Sequence, residues 1–205
     1  MKLTQDRIIG LYGMKGSGKT VLGNAIAEFL SKYVKVIIYN TDLEPIAKNK
    51  NIEVYNPYSV NATDIDMLNS WLAKTRANNP NSVIYVRDLD AFFDKNTSLS
   101  KYSKELKDIS TRGRHTRNGF IYESKQPKYI PLKLISNTDL FFISNFTEAD
   151  DLTHLKSLAS SKELTAIPVQ SHIFLMIDRW DNSKKYVKYD INSKRLINIY
   201  DLNGE

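Results

Sequence analysis

The sequence predicts an α/β fold in which a mostly parallel central sheet is flanked by helices. Two observations support this prediction. Short apolar runs suited to buried strands alternate with helical patterns along the chain. The first run, residues 8–11, leads through a glycine-rich turn into an amphipathic helix. Residues 165–200 instead predict a β-hairpin extension at the C-terminus of the chain.

The composition is that of one globular domain over residues 1–205, with a core at about 7–160. Hydrophobic residues make up 41% and charged residues 25%, and no apolar run approaches the ~20 residues of a membrane span. No secretory signal is expected before the first strand. Without cysteine, disulfides, thiolate metal sites and cysteine nucleophiles are excluded. The net charge of +6 is compatible with a polyanionic partner.

The glycine-rich turn holds the most specific motif in the chain. Residues 13–20 read GMKGSGKT, which fits G-x-x-x-x-G-K-[ST] between a strand and a helix. Its glycines let backbone N–H groups point at a phosphate, and the helix N-terminus adds its positive dipole. Lys19 is expected to reach the β- and γ-phosphates and Thr20 to bind Mg²⁺. The predicted phosphate-binding residues are Gly13, Met14, Lys15, Gly16, Ser17, Gly18, Lys19 and Thr20. For Lys15, a solvated surface position is an equal alternative.

A second chemical signal follows the strands predicted at 34–40 and 82–86. Asp88 and Asp90 come after the later strand, at the carboxyl end of the sheet, where open α/β sheets bind ligands. Residues two apart on a strand face the same way, so both acids are expected to converge on one site. Asp88 is predicted to hold Mg²⁺ through water and Asp90 to activate the attacking water. Alternatively, Asp90 holds the metal, or both acids are turn residues.

A basic helical segment, residues 99–117, leads into a strand predicted at 119–124. The cations in and after it are Arg112, Arg114, Arg117, Lys125 and Lys128. An arginine here can reach the γ-phosphate bound by a neighbouring subunit, or the cluster can bind a nucleic-acid backbone. A solvated basic face is the third interpretation. Gln126 either senses the γ-phosphate and positions water, or is an ordinary loop residue.

The remaining elements complete the predicted sheet. Residues 138–144 predict one more buried strand, and Thr147 begins a predicted helix with an acidic first turn. The segments 171–180 and 184–191 predict the two strands of the hairpin, and residues 199–205 are expected to be a tail.

The order of these motifs resembles the HerA–FtsK superfamily of DNA-pumping ATPases. GMKGSGKT is similar to the superfamily motif G-x-T-G-S-G-K-[ST], with Lys15 in place of the usual threonine. The stretch RGRHTRNGFIYESKQP resembles the part of the family in which a glycine-arginine segment precedes a strand ending in glutamine. The continuation NTDLFFISNFTEADDLTHL looks most like genome-packaging ATPases of membrane-containing icosahedral viruses, including the archaeal turreted viruses. The resemblance covers roughly residues 7–160.

The resemblance implies a RecA-like ATPase that packages viral double-stranded DNA into a preformed capsid, with ATP and Mg²⁺ as cofactors. It places ATP on residues 13–20, Asp88 and Asp90 at the acidic position, and Gln126 at the sensor position. Arg114 is the preferred finger that acts on the neighbouring subunit. The family often has an adjacent acid pair, which this sequence lacks. It further implies a homo-oligomeric ring, capsid-vertex or membrane-protein partners, and action in the host cytoplasm or association with the virion.

Other functions share the phosphate-binding motif. A plasmid or conjugation-type DNA pump would use the same residues without packaging a virus. A small nucleotide or metabolite kinase suits the chain length, although neither an arginine-rich lid nor an acceptor pocket is identified. A nucleotide-dependent switch is the third alternative, and the guanine-specifying motif N-K-x-D is absent. Hydrolysis stimulated by duplex DNA distinguishes a motor from a kinase or a switch.

Overall fold

A computed structural model describes residues 3–46, 49–57, 64–93 and 104–201. Within these ranges, nine strands form one continuous sheet. In chain order the strands are β1 (Ile8–Tyr12), β2 (Val36–Tyr39), β3 (Ile52–Tyr55), β4 (Val83–Val86), β5 (Gly119–Ser124), β6 (Leu140–Ile143), β7 (Ile173–Asp178), β8 (Ser183–Asp190) and β9 (Arg195–Asp201).

The strand order is β3-β2-β4-β5-β1-β6-β7-β8-β9, and the first six positions in this order are parallel to one another. Strand β1 lies between β5 and β6, so the turn that follows it opens near the middle of the carboxyl edge. Strands β7, β8 and β9 continue the sheet in antiparallel fashion. The predicted α/β class with a mostly parallel sheet is confirmed.

The C-terminal extension has three strands rather than the two of the predicted hairpin. The expectation of a tail from residue 199 is wrong, because β9 pairs with β8 as far as Asp201. The extension is also joined to the start of the parallel sheet. Arg7 Nη1 lies 2.8 Å from Asp178 Oδ2, and both side chains are buried. This ion pair fixes the end of β7 beside the beginning of β1.

Six α-helices and two short 3₁₀ turns connect the described strands. They are α1 (Lys19–Leu30), α2 (Ile65–Asn78), the 3₁₀ turn Leu89–Phe92, α3 (Lys104–Thr116), the 3₁₀ turn Pro127–Tyr129, α4 (Leu132–Asn137), α5 (Ala149–Leu155) and α6 (Ser161–Thr165). Helix α2 begins after Asp64, whose carboxylate accepts from two backbone N–H groups of the first turn. The earlier part of the predicted basic helix, residues 99–103, lies outside the described residues. None of the helices in the described ranges has the length and apolar character needed to cross a membrane.

Two apolar layers cover the two faces of the sheet. Successive strand side chains face opposite sides, so Ile9 and Leu11 of β1 pack with α1, whereas Ile8 and Tyr12 pack with α2 to α5. The core strands around β1 are buried along their whole length. The polar loops at the carboxyl edge are therefore held on a rigid, fully packed base.

Candidate active site

The loop between β1 and α1 has the backbone geometry of a phosphate cradle. Gly16 and Gly18 adopt positive φ angles of 83° and 92°, a region that favours glycine. A Cβ at Gly13 would lie 2.6 Å from Ser17 Oγ, whereas one at Gly16 would meet nothing within 4 Å. The loop is thus tightly packed at its start and open at Gly16. Ser17 Oγ is buried and has no hydrogen-bond partner among the described residues.

Lys19 places its ammonium group over this loop. The residue is only 4% exposed, and its Nζ donates to the Met14 carbonyl oxygen at 3.1 Å. Burial lowers the pKa of Lys19, while the carboxylates of Glu123, Asp88 and Asp90 act in the opposite direction. Asp90 lines a cavity with Met14 and Lys15, and Asp88 pairs with Lys125 of the same cavity, so the loop and both predicted acids lie at one site. Their roles in catalysis remain predictions.

Asp88 and Asp90 converge on Lys125, but not for the reason expected. Strand β4 ends at Val86, so the argument that both acids lie on an extended strand is wrong. Asp88 has a left-handed backbone, φ 46°, and the 3₁₀ turn that follows brings Asp90 back towards β5. Asp88 Oδ2 accepts from Lys125 Nζ at 2.7 Å, and Asp90 Oδ1 accepts from the Lys125 backbone N–H at 3.0 Å. Burial raises the pKa of the Asp90 carboxyl, against the effect of this backbone hydrogen bond.

The buried Arg87 fixes the turn that carries these acids. Its Nη1 donates to Asn40 at 2.6 Å and to Asp42 at 2.7 Å, beyond the end of β2. Its Nη2 donates to Asn24 of α1 at 2.7 Å. Because one guanidinium links α1, β2 and β4, the turn cannot move independently of the helix that follows the phosphate loop. No motif in the sequence predicted a role for this arginine.

Two cavities flank the phosphate loop. The first, of about 250 Å³, is lined by Met14, Lys15, Asp90 and Gln126, among others. Gln126 therefore shares a cavity with one acid and with the loop, as its predicted position at the strand tip requires. The second cavity, of about 330 Å³, is lined by Gly16 and Ser17 and shares Met14 and Lys15 with the first. The two cavities therefore lie next to each other along the loop.

The predicted basic cluster is divided between the two edges of the sheet. Lys125 pairs with Asp88, and Lys128 Nζ pairs with Glu148 Oε2 at 2.7 Å, both at the carboxyl edge. Exposed Arg117 lies between α3 and β5, next to the amino ends of β1 and β4. A five-residue strand separates that edge from the phosphate loop by roughly 16 Å. Arg117 therefore does not form one surface with Lys125 and Lys128.

Arg112 and Arg114 belong to the last turns of α3, which ends at the amino edge. Their side chains lie outside the described part of the structure. Helix α3 therefore ends at the edge of the sheet opposite to the phosphate loop, and its final turn lies away from that loop.

Glu123 is a candidate that the sequence argument missed. It lies on β5, is 1% exposed, and accepts a hydrogen bond from Thr20 Oγ1 at 2.8 Å. The Tyr85 hydroxyl donates to its other carboxylate oxygen. Burial raises the pKa of Glu123, and these two hydrogen bonds oppose that rise. The sequence signal that could have identified Glu123 was a carboxylate inside a strand predicted to be buried, a position that charged residues rarely occupy without a partner.

The C-terminal extension reaches the phosphate loop through His172. The His172 backbone N–H donates to the Ser17 carbonyl oxygen at 2.8 Å, and its own carbonyl accepts from Tyr189 N at 2.8 Å. The imidazole Cδ2 lies 2.5 Å from the place where a Cβ on Gly18 would be. Strands β7 and β8 thus support the back of the loop, which the hairpin pattern alone did not indicate.

Replacing His172 with alanine is expected to weaken ATPγS binding about fivefold, because the loop loses roughly 1 kcal/mol of packing behind Gly18. Isothermal titration calorimetry measures this change. His154→Ala is the matched control, since that half-buried histidine contacts the Ile130 carbonyl oxygen instead of the loop. Equal affinities for both variants and the unmodified chain would show that the imidazole does not support the loop.

A protein-family model extends over most of this site. The model for the ATPase family associated with various cellular activities (AAA) matches residues 9–141, well over half of the chain. The chain belongs to the AAA family. The matched part of this AAA protein includes the phosphate loop, both acids and Glu123. No curated protein sequence shows significant similarity to it.

Solved structures similar to the AAA protein include viral genome-packaging proteins and a conjugation coupling protein. The genome packaging NTPase B204 from Sulfolobus turreted icosahedral virus 2, in complex with ATP-gammaS, has a TM-score of 0.73 and 15% identity, covering 90% of this chain and 98% of that one. The DNA-packaging ATPase B204 from Sulfolobus turreted icosahedral virus has a TM-score of 0.69 and 15% identity, and the match covers 96% of this chain and 98% of that one. The pCW3 conjugation coupling protein TcpA has a TM-score of 0.57 and 15% identity, and the match covers 86% of this chain and 59% of that one. These similarities confirm, at the level of fold, the resemblance drawn from the motif order.

Proposed function

We propose that this AAA protein hydrolyses ATP to move double-stranded DNA and that it packages viral DNA into a preformed capsid. The observation that carries the proposal is that Asp90 lines one cavity with the loop residues Met14 and Lys15, on a fold shared with B204. The similarity to B204 covers nearly all of that protein, whereas the similarity to TcpA covers 59% of it. Packaging is therefore favoured over conjugative transfer.

The residues of the site fit ATP and Mg²⁺. Gly16 faces open space, and the buried Ser17 hydroxyl lacks a protein partner among the described residues, so both suit a phosphate group. Thr20 would hold Mg²⁺ directly and Asp88 through water, in keeping with the few protein ligands that this ion takes. When bound, Mg²⁺ neutralises charge on the β- and γ-phosphate oxygens.

Hydrolysis would combine positioning with charge stabilisation. Lys19 Nζ, which donates to a loop carbonyl, would donate instead to the γ-phosphate. Asp90 and Gln126 line one cavity beside the loop, where they would orient the attacking water. The raised pKa of Asp90 brings this carboxyl closer to the range of an effective general base.

The arginines of α3 support a ring assembly. Since this helix ends at the edge opposite to the phosphate loop, Arg114 would complete the ATP site of a neighbouring subunit, and Arg112 and Arg117 would remain for DNA. Lys125 and Lys128, which pair with acids, would contact DNA only after those ion pairs open. The ring would enclose DNA, contact capsid-vertex or membrane proteins, and act in the host cytoplasm or on the virion.

Two assays on the purified chain test this function. Release of inorganic phosphate from ATP should rise several-fold on addition of duplex DNA, with a steep decrease as salt is added. Displacement of a third strand from a DNA triplex should require ATP hydrolysis. Equal hydrolysis with and without DNA, together with no strand displacement, would contradict a motor. Transfer of the phosphoryl group to a nucleotide acceptor would instead identify a kinase.

A further inference from the structure

Glu123 occupies a buried position between the two strands that carry the ATP-site residues. Strand β5 lies between β1 and β4, and Glu123 pairs in register with Leu11, just before the phosphate loop. Its two carboxylate oxygens have different donors: Thr20 Oγ1 at 2.8 Å on one side and the Tyr85 hydroxyl on the other. One carboxylate thus joins β4 and β5 to the first turn of α1.

The donor on the Tyr85 side is itself fixed by packing. Tyr85 is fully buried, and its phenol lies against Gly23 of α1, where an added Cβ would collide with the hydroxyl. The absence of a side chain at this helical position therefore lets the phenol reach Glu123. A carboxylate held in this way has one orientation from which to accept the Thr20 hydrogen.

The hydrogen bond to Glu123 determines where the Thr20 hydroxyl hydrogen points. A threonine hydroxyl has one hydrogen, and the hydroxyl oxygen binds a cation through a lone pair. If its hydrogen points into the site, the lone pairs point away from the metal. Because Thr20 donates to Glu123, its hydrogen is directed away from the phosphate loop and its lone pairs stay available on the loop side.

We infer that Glu123 is a positioning residue that orients the Thr20 hydroxyl to bind Mg²⁺. The inference rests on the proposed ATP and Mg²⁺ site and adds to it a role for a residue on a separate strand. Glu123 acts through Thr20 and does not contact the nucleotide. Its effect through Thr20 should therefore appear in the part of nucleotide affinity that depends on Mg²⁺.

The test compares two variants that differ only at residue 123. Tyr85→Phe keeps the bond between Glu123 and Thr20. The double variant Tyr85→Phe/Glu123→Leu replaces the buried polar pair with apolar side chains of similar shape, a change that protein interiors tolerate. The readout is the ratio of ATPγS dissociation constants in EDTA and in Mg²⁺. Thermal unfolding confirms that each variant is folded.

The double variant is expected to lose about tenfold of the gain in affinity from Mg²⁺ relative to Tyr85→Phe. Any effect of Glu123 through Lys19 alters the affinity in EDTA and in Mg²⁺ alike, and therefore cancels in the ratio. Glu123→Gln, whose amide oxygen can accept from Thr20, should keep most of the gain. In a Thr20→Ala background, adding the double change should have no further effect on the ratio.

Each contrary result has a separate meaning. If Mg²⁺ strengthens binding equally in Tyr85→Phe and in the double variant, the inference fails while the metal site stands. If the double variant weakens binding equally in EDTA and in Mg²⁺, Glu123 is only structural. If Mg²⁺ does not strengthen ATPγS binding to the unmodified chain, the proposed metal site fails and the inference fails with it. If the double variant does not fold, loss of the Mg²⁺ gain in Glu123→Gln would overturn the role as hydrogen-bond acceptor.

Discussion

Replacing Lys19 with alanine is expected to reduce the rate of ATP hydrolysis by about 10²- to 10³-fold, the range for loss of one preorganised donor at a reacting group. The reason is local: Lys19 is buried and its ammonium lies over the loop that would hold the phosphates. Steady-state phosphate release measures the change. Thermal unfolding should show a folded protein, because only one loop carbonyl loses its donor.

Lys15→Ala is the matched control for this prediction. Lys15 lies four residues earlier on the same loop and is exposed, so its removal should change the rate by less than about threefold if it is an ordinary surface lysine. A large effect at Lys15 would assign it to the phosphates. Full activity of Lys19→Ala would show that this loop does not bind the reacting nucleotide.

Replacing Arg114 with alanine is expected to reduce hydrolysis by about 10³-fold or more, as loss of an arginine finger does in related chemistry. Mixing this variant with Lys19→Ala should restore activity. In a ring, an intact phosphate loop from one variant meets an intact arginine from the other at about a quarter of the interfaces in an equal mixture. Phosphate release from the mixture, compared with each variant alone, measures the recovery.

Arg112→Ala and Arg117→Ala serve as controls in the same mixing experiment. If either variant loses hydrolysis and is rescued by Lys19→Ala while Arg114→Ala is active, the finger is assigned to the wrong arginine. Absence of rescue for all three would contradict an ATP site shared between subunits. Reduced DNA stimulation without loss of basal hydrolysis would instead indicate a role in DNA contact.

The phosphate loop could be predicted from the sequence because its geometry is local. Gly16 and Gly18 have the positive φ angles that only glycine adopts easily, and Lys19 follows them directly at the start of a helix. Strands β1, β4 and β6 were predictable for a similar reason: each is an apolar run buried on both faces. These features depend on neighbouring residues more than on distant contacts.

The parts that could not be predicted depend on contacts between distant segments. Glu123 gains its partners only because β5 lies between β1 and β4, and sequence spacing does not reveal that order. Likewise, Arg117 and Lys125 are close in sequence but lie at opposite ends of β5, so a basic cluster in the chain is not a basic surface. Asp88 and Asp90 were expected to lie together because they are two apart on a strand. In the structure, a left-handed backbone at Asp88 and a 3₁₀ turn bring the two carboxylates together instead.

A crystal structure of the chain with ATPγS and Mg²⁺ would test the central claim most directly. The account predicts the triphosphate along residues 13–20, with Lys19 at the γ-phosphate and Mg²⁺ between Thr20 and Asp88. A nucleotide bound elsewhere would contradict it. The cavity of about 390 Å³ at the amino edge, lined in part by Asp6 and Arg179, is the alternative place to look.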